Sequence, residues 1–197
     1  MSEISLKAQI EAILMASDQP LTARNLQGLV DRLDQPVSLS DVHTALKALA
    51  ADCASRGIEL VEVASGFRFQ VRQEYAEAVL RLWEEKPKKY SRALLETLAL
   101  IAYRQPVTRA EIEDVRGVSV SSTIIKTLLD REWIRVIGHR ETPGRPALYA
   151  TTRQFLDYFN LRSLDELPSL KELQNLDAIT PSLDLGDAPE QPPAVTE

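Results

Sequence analysis

The residues of this chain best equipped for chemistry are His43, His139, Cys53 and the carboxylates Glu111, Glu113 and Asp114. Histidine beside a thiol would suggest a nucleophile with its base, and clustered carboxylates would suggest acid–base work or metal ligation. The spacing favours neither. The two histidines lie 96 residues apart, and one cysteine cannot build a cysteine-rich zinc site. Glu111, Glu113 and Asp114 fall on a short helix, where such charges form a solvated face. Cys53 follows Val42, Leu46 and Leu49 on one apolar stripe, the position of a buried, inert thiol. The seven glycines include neither a Gly-x-x-x-x-Gly-Lys loop nor a Gly-x-Gly-x-x-Gly turn. The inventory points away from an enzyme, and no cofactor or metal is expected.

Phosphate contact is the other chemistry available. The segment His139–Pro146 reads as a hairpin tip carrying Arg140 and Arg145, which suit weak, salt-sensitive DNA contacts. Sequence-specific reading needs Arg, Lys, Asn or Gln on a recognition helix. The stretch Ser121–Asp130 offers only Lys126, and Asp41–Ala54 offers only Lys47 against Asp41 and Asp52. The net charge of −6 belongs to the end of the chain: residues 164–197 hold eight acids against Lys171, leaving 21 acids and 22 bases before them. Acidity therefore says little about the rest of the chain.

The elements that position these residues are organised by a repeat. Ala12–Thr22 (AILMASDQPLT) matches Leu98–Thr108 (LALIAYRQPVT) at a shift of 86 residues, with Leu14/Leu100, Ala16/Ala102, Gln19/Gln105, Pro20/Pro106 and Thr22/Thr108 identical. Each is an apolar helix, a break at Gln-Pro and a new helix capped by Thr. In the first copy Leu6, Ile10, Ile13 and Leu14 share a face, then Leu26, Leu29, Val30 and Leu33 mark a second helix. Ser40 opens a third helix that Gly57 closes, and Ile58–Val63 and Phe67–Arg72 pair around Ser65-Gly66. A helix over Glu74–Trp83 precedes a charged hinge at Lys86–Lys89.

In the second copy Leu94, Leu95, Leu98, Ile101 and Ala102 form the first helix. Thr108 and Glu111 have capping-box spacing, and Gly117 ends the second helix. Ser121 or Ser122 opens the third, bearing Ile124, Ile125, Leu128 and Leu129, and Trp133–Gly138 with Ala147–Thr151 make a hairpin. Phe155, Leu156 and Phe159 predict a short helix packed on that second domain. Three helices followed by a hairpin is the winged-helix order. The predicted class is mainly α with small β-hairpins (α+β): winged-helix domains at 1–86 and 92–167, a linker at 87–91, and an acidic, Pro-rich tail at 168–197 that is largely disordered. Lacking a long apolar run, a basic leader or a second cysteine, the chain reads as cytoplasmic, with no membrane association.

Several stretches together resemble a known family: AILMASDQPLT, GIELVEVASGFRFQV, LLETLALIAYRQPVTRAEIEDVRGV, TPGRPALYATT and FLDYFNLRSLDELPSL. They are similar to the bacterial segregation and condensation protein B family, ScpB, over roughly residues 5–170. The resemblance implies a non-enzymatic subunit of the SMC condensin-like complex, needed for chromosome condensation and segregation and associated with the nucleoid. It implies a homodimer formed largely through the first domain. The second domain would bind the kleisin subunit ScpA and, through it, reach the SMC ATPase indirectly. On that reading Leu6, Ile10, Ile13 and Leu14 are dimer-interface candidates, and Ile125, Leu129, Arg145, Pro146 and Tyr149 are kleisin-binding candidates. Burial in each domain's own core is the competing use of the helix residues. The competing function is a dimeric winged-helix DNA-binding transcriptional regulator touching DNA through Arg140 and Arg145.

Overall fold

The computed structural model describes residues 5–31, 36–82 and 90–169. Leu33, Trp83, the hinge Lys86–Lys89 and the acidic tail beyond Ser169, about which the sequence carries expectations, lie outside the described residues. The chain divides into two units. The first is Met1–Lys86 with Leu156–Glu166, and the second is Pro87–Phe155 with Leu167–Glu197.

In the first unit, α1 (Leu6–Ala16) starts where the Ser5 hydroxyl accepts the Ala8 amide at 3.2 Å. Helix α2 (Ala23–Val30) is capped by Thr22, whose hydroxyl accepts the Asn25 amide at 3.1 Å. Helix α3 (Leu39–Asp52) is capped by Ser38, two residues before the expected cap Ser40. Ser38 and Asp41 form a reciprocal capping box there, which satisfies two backbone amides where Ser40 would satisfy one. Ile10, Leu14, Leu26, Val30, Val42, Leu46 and Leu49 interlock as the core. Each fully buried aliphatic side chain there contributes about 1.5–3 kcal/mol of transfer free energy. Leu29 is expected on the same stripe but is 62% exposed, while Leu26 and Val30 of α2 are the residues turned inward.

Gly57 does not close α3. The helix ends at Asp52 and tightens into a 3-10 turn at Cys53–Ser55. The Arg72 guanidinium donates to the carbonyls of Cys53 at 3.1 Å and Arg56 at 3.0 Å, satisfying the helix end that a glycine cap would otherwise serve. Strands β1 (Ile58–Val63) and β2 (Gly66–Val71) pair antiparallel from Ile58↔Val71 to Val63↔Gly66, so the turn is Ala64-Ser65. Gly66 has φ +135°, and a Cβ there would lie 2.3 Å from the Leu21 carbonyl carbon. That close approach lets Leu21 and Phe67 exchange backbone hydrogen bonds of 3.0 and 2.8 Å, tying the start of α2 to the hairpin. Where one helix is expected over Glu74–Trp83, a 3-10 turn (Gln73–Tyr75) leads into the short α4 (Ala76–Leu80).

The second unit repeats the order. Helix α5 (Arg92–Arg104) buries Leu94, Thr97, Leu98, Ile101 and Ala102. Helix α6 (Arg109–Arg116) starts with the Thr108/Glu111 capping box and ends at Gly117, which is left-handed at φ +70°. Helix α7 (Ser122–Asp130) is capped by Ser121. Strand β3 (Val107–Thr108) and β4 (Ile134–His139) flank β5 (Ala147–Thr151), in the order β3-β5-β4. Val107 pairs with Tyr149 much as Leu21 pairs with Phe67 in the first unit. Gln105 of the repeated Gln-Pro pair acquires a structural task here. Its side-chain oxygen accepts the Thr151 amide at 2.7 Å, and its amide group donates to Ala102 at 3.0 Å, joining the end of α5 to β5.

Helix α8 (Arg153–Tyr158) corrects one expectation. Phe155 is buried in the second unit, but Leu156 and Phe159 belong to the first. Together the described residues form a mixed α/β protein with two small antiparallel sheets. Among them, no helix is long and apolar enough to cross a membrane.

Candidate partner-binding surface

Helix α1 uses its apolar face internally. Ile10 is fully buried and Leu14 is 4% exposed, while Leu6 and Ile13 pack against the same core. Ile10 and Leu14 are therefore core side chains in this chain. The exposed large apolar residue of α1 is Met15, and Leu29 on α2 and Leu80 on α4 are exposed in the same unit. Amphipathic spacing places one face of a helix inward but cannot say whether the covering surface is the same chain or another copy.

The second unit's candidates separate in the same way. Ile125 is 6% exposed and Leu128 is fully buried, so α7 turns both into the core, while Leu129 is half-buried. Tyr149 sits half-buried on β5, with Val107 opposite it on β3 and Val136 on β4. Arg145 and Pro146 lie in the turn, where the Arg145 amide donates to Thr142 at 2.8 Å and Pro146 accepts the Arg140 amide at 2.9 Å. Among the described residues, no hydrogen bond, ion pair or ring contact joins Ile125 or Leu129 to Arg145, Pro146 or Tyr149. The outward face of α7 carries Lys126 and Asp130, whose charges cancel.

Sequence reasoning missed Val136 and Ile137, which are 45% and 47% exposed on the outer strand β4. The ladder shifts register between Val136 and Gly138, leaving Ile137 as the extra residue. A bulge of this kind breaks strict alternation, so two neighbouring apolar residues can both meet solvent. No sequence signal marks it beyond the unbroken run Ile134-Arg-Val-Ile137.

Two arginines at the hairpin tip are engaged. The Arg140 guanidinium meets the Glu111 carboxylate at 2.9 Å, and Arg145 meets Glu141 at 3.3 Å. Glu111 also accepts the Thr108 amide at 2.8 Å and the Thr108 hydroxyl at 2.9 Å. The Thr108 amide, its hydroxyl and the Arg140 charge hold the Glu111 carboxyl below the usual carboxylate range, against a smaller opposing effect of burial. An open groove lined by Arg104, Pro106, Val107 and Glu111 adjoins this ion pair. Arg140 and Arg145 thus each carry a carboxylate partner, which offsets the charge a phosphate would need. In the first unit, a second groove between α3 and the hairpin is lined by His43, Lys47, Ala50, Leu60, Glu62 and Phe67. The exposed His43 ring lies edge-to-face with Phe67, their centroids 6.5 Å apart. Cys53 is buried, and no group of His, Cys, Asp and Glu that could hold a metal occurs among the described residues.

The surface thus offers apolar strand residues and arginines paired with carboxylates. Comparison with known proteins gives it a family. Residues 8–170 match the family described as segregation and condensation complex subunit ScpB. The chain is similar to a segregation and condensation protein B homolog of Coxiella burnetii, 58% identical over 91% of this chain and 85% of that one. It is also similar to segregation and condensation protein B of Syntrophotalea carbinolica, 44% identical over 93% and 91%. The crystal structure of ScpB from Mycobacterium tuberculosis is 36% identical, covering 81% of this chain and 99% of that one, with a TM-score of 0.36. A match over both repeats and identity of this extent place the chain in the segregation and condensation complex subunit ScpB family.

Proposed function

We propose that the protein is a non-enzymatic scaffold of a bacterial SMC condensin-like complex, acting in chromosome condensation and segregation at the nucleoid. The chain carries two winged-helix domains, at residues 1–86 and 92–167, joined by a linker at 87–91 and followed by the acidic tail. It dimerises through the first and holds the kleisin subunit ScpA through the second. The observation that carries this reading is that the family match spans residues 8–170, and so both copies of the three-helix-and-hairpin order.

The physical role is tethering. A dimer presents two second-unit surfaces, so one extended kleisin segment engages both, and the second contact forms at high effective concentration. ATP turnover by SMC changes only through the restrained kleisin. Because Ile10, Leu14 and Ile125 are core residues, the dimer contact falls to exposed apolar positions such as Met15 and Leu29. The kleisin contact falls to Val136, Ile137, Tyr149 and the Arg145-Pro146 turn.

Calorimetric titration of the full chain with an ScpA fragment tests the assignment. Binding is expected, and Val136→Glu is expected to weaken it at least ~10-fold by placing an unpaired charge in the contact, with circular dichroism unchanged. Absence of binding by the wild-type chain would overturn the reading.

A further inference from the structure

We infer that residues Leu156–Glu166 are a releasable clasp docked on the first unit's hairpin, and that Asp157 is its latch. These residues follow the second unit in sequence but belong to the first. The start of α8 is fixed in the second unit, where the Thr152 amide donates to the Trp133 carbonyl at 3.1 Å and Phe155 is buried. The segment after Phe155 meets the hairpin through a set of polar contacts. The Asp157 carboxylate accepts the Ser65 amide at 2.9 Å, and the Leu161 carbonyl accepts the Ala64 amide at 2.9 Å. From β2, one nitrogen of the Arg68 guanidinium donates to the Asp157 carbonyl and the Asn160 side-chain oxygen, both at 2.8 Å. Arg162 lies 3.9 Å from Glu62 at the exposed rim.

Two features make this contact separable from the fold beneath it. Of the described residues in the segment, Asp157 alone is buried, at 7% exposure, while Tyr158, Phe159 and Leu164 are 48%, 38% and 37% exposed. A segment with so little buried apolar surface opens at low free energy compared with a packed core. The docked state is also imperfectly satisfied, because the Arg68 Nε is buried without a hydrogen-bond partner. The core of the unit does not depend on the clasp, since Ile10, Leu26, Val42 and their neighbours pack from α1, α2 and α3.

Docked and released, the segment gives the first unit two conformations. A partner that favours one state therefore acts through residues far from its own contact.

Amide hydrogen exchange on the full chain reads this directly. The Ala64 and Ser65 amides are expected to exchange at least ~10-fold faster than the α1 and α3 core amides, through local opening. Asp157→Ala is expected to speed them a further ~10-fold or more, as loss of a charged acceptor implies, while core amides change less than ~2-fold. Arg68→Lys, which keeps the charge but loses the guanidinium's reach to both oxygens, is the second variant should Asp157→Ala fail to fold. Core amides accelerating in step with Ala64 and Ser65 would make the segment an integral part of the unit and overturn the proposal. Unchanged exchange at Ala64 and Ser65 in either variant would overturn it as well.

Discussion

Replacing Gly66 by alanine isolates the contact that joins α2 to the first hairpin. The added Cβ would stand 2.3 Å from the Leu21 carbonyl carbon, 2.4 Å from its oxygen and 2.6 Å from the Thr22 nitrogen. All three are backbone atoms, so no side chain can swing away to relieve the overlap. The φ of +135° adds strain that an alanine meets and a glycine does not. Relief requires Leu21 and Phe67 to part, losing hydrogen bonds of 3.0 and 2.8 Å at about 1 kcal/mol each. Backbone strain at such a position adds roughly 1–3 kcal/mol. The expected loss is therefore ~3–5 kcal/mol, a large share of the ~5–15 kcal/mol that holds a domain folded. Gly28→Ala is the matched control. Gly28 lies inside α2 with nothing within 4 Å of the added carbon, so alanine should stabilise by ~0.5–1 kcal/mol. Thermal unfolding followed by circular dichroism measures both variants, and exchange of the Leu21 and Phe67 amides locates the effect. A Gly66→Ala protein within ~1 kcal/mol of wild type, or with those two amides as protected as before, would falsify the reasoning.

Further outcomes follow from other contacts. Ile10→Ala should destabilise the first unit by ~2–5 kcal/mol in chemical denaturation, whereas Met15→Ala should change stability by less than ~0.5 kcal/mol. An Ile10→Ala protein of full stability that no longer self-associates would instead make Ile10 an interface residue. The Glu111 carboxyl is held down in the folded state, so its contribution to stability is present above the unfolded value of about 4.3 and is lost as pH falls through the lower folded value. Glu111→Gln should therefore remove part of the acid sensitivity between about pH 5 and pH 3, costing only a few tenths of a kcal/mol at neutral pH because the group is solvent-screened. Identical melting-against-pH curves for the two proteins contradict this. Wild-type DNA binding should be weak, and Glu111→Gln with Glu141→Gln should steepen the log–log salt slope by up to ~2 by freeing Arg140 and Arg145. A steep slope in the wild-type protein, abolished by Arg140→Ala with Arg145→Ala, would favour the DNA-binding regulator.

Local elements were legible where one residue type solves one backbone problem. Thr108 with Glu111 reads as a capping box and forms one, and Gly117 reads as a left-handed stop and is one. The repeat carried the helix order because Gln-Pro-x-Thr breaks one helix and caps the next in both copies. What stayed illegible needed partners distant in sequence. Ser65 and Asp157 are 92 residues apart, so nothing local marks Phe159 as part of the first unit. The close of α3 depends on the Arg72 guanidinium from the far end of the hairpin, which made Gly57 a misleading stop. The candidate surface was the least legible part. Ile10, Leu14 and Ile125 satisfy the same apolar spacing whether they pack inward or against another chain, and the bulge that exposes Val136 and Ile137 has no composition of its own.

Whether this chain holds protein partners together is read by light scattering after gel filtration, on the full chain with and without an ScpA fragment from the same organism. A particle of twice the 22.0 kDa chain mass is expected, shifting to a stable heavier complex when the fragment is added. A particle of single-chain mass whose elution and mass ignore the fragment would contradict that expectation.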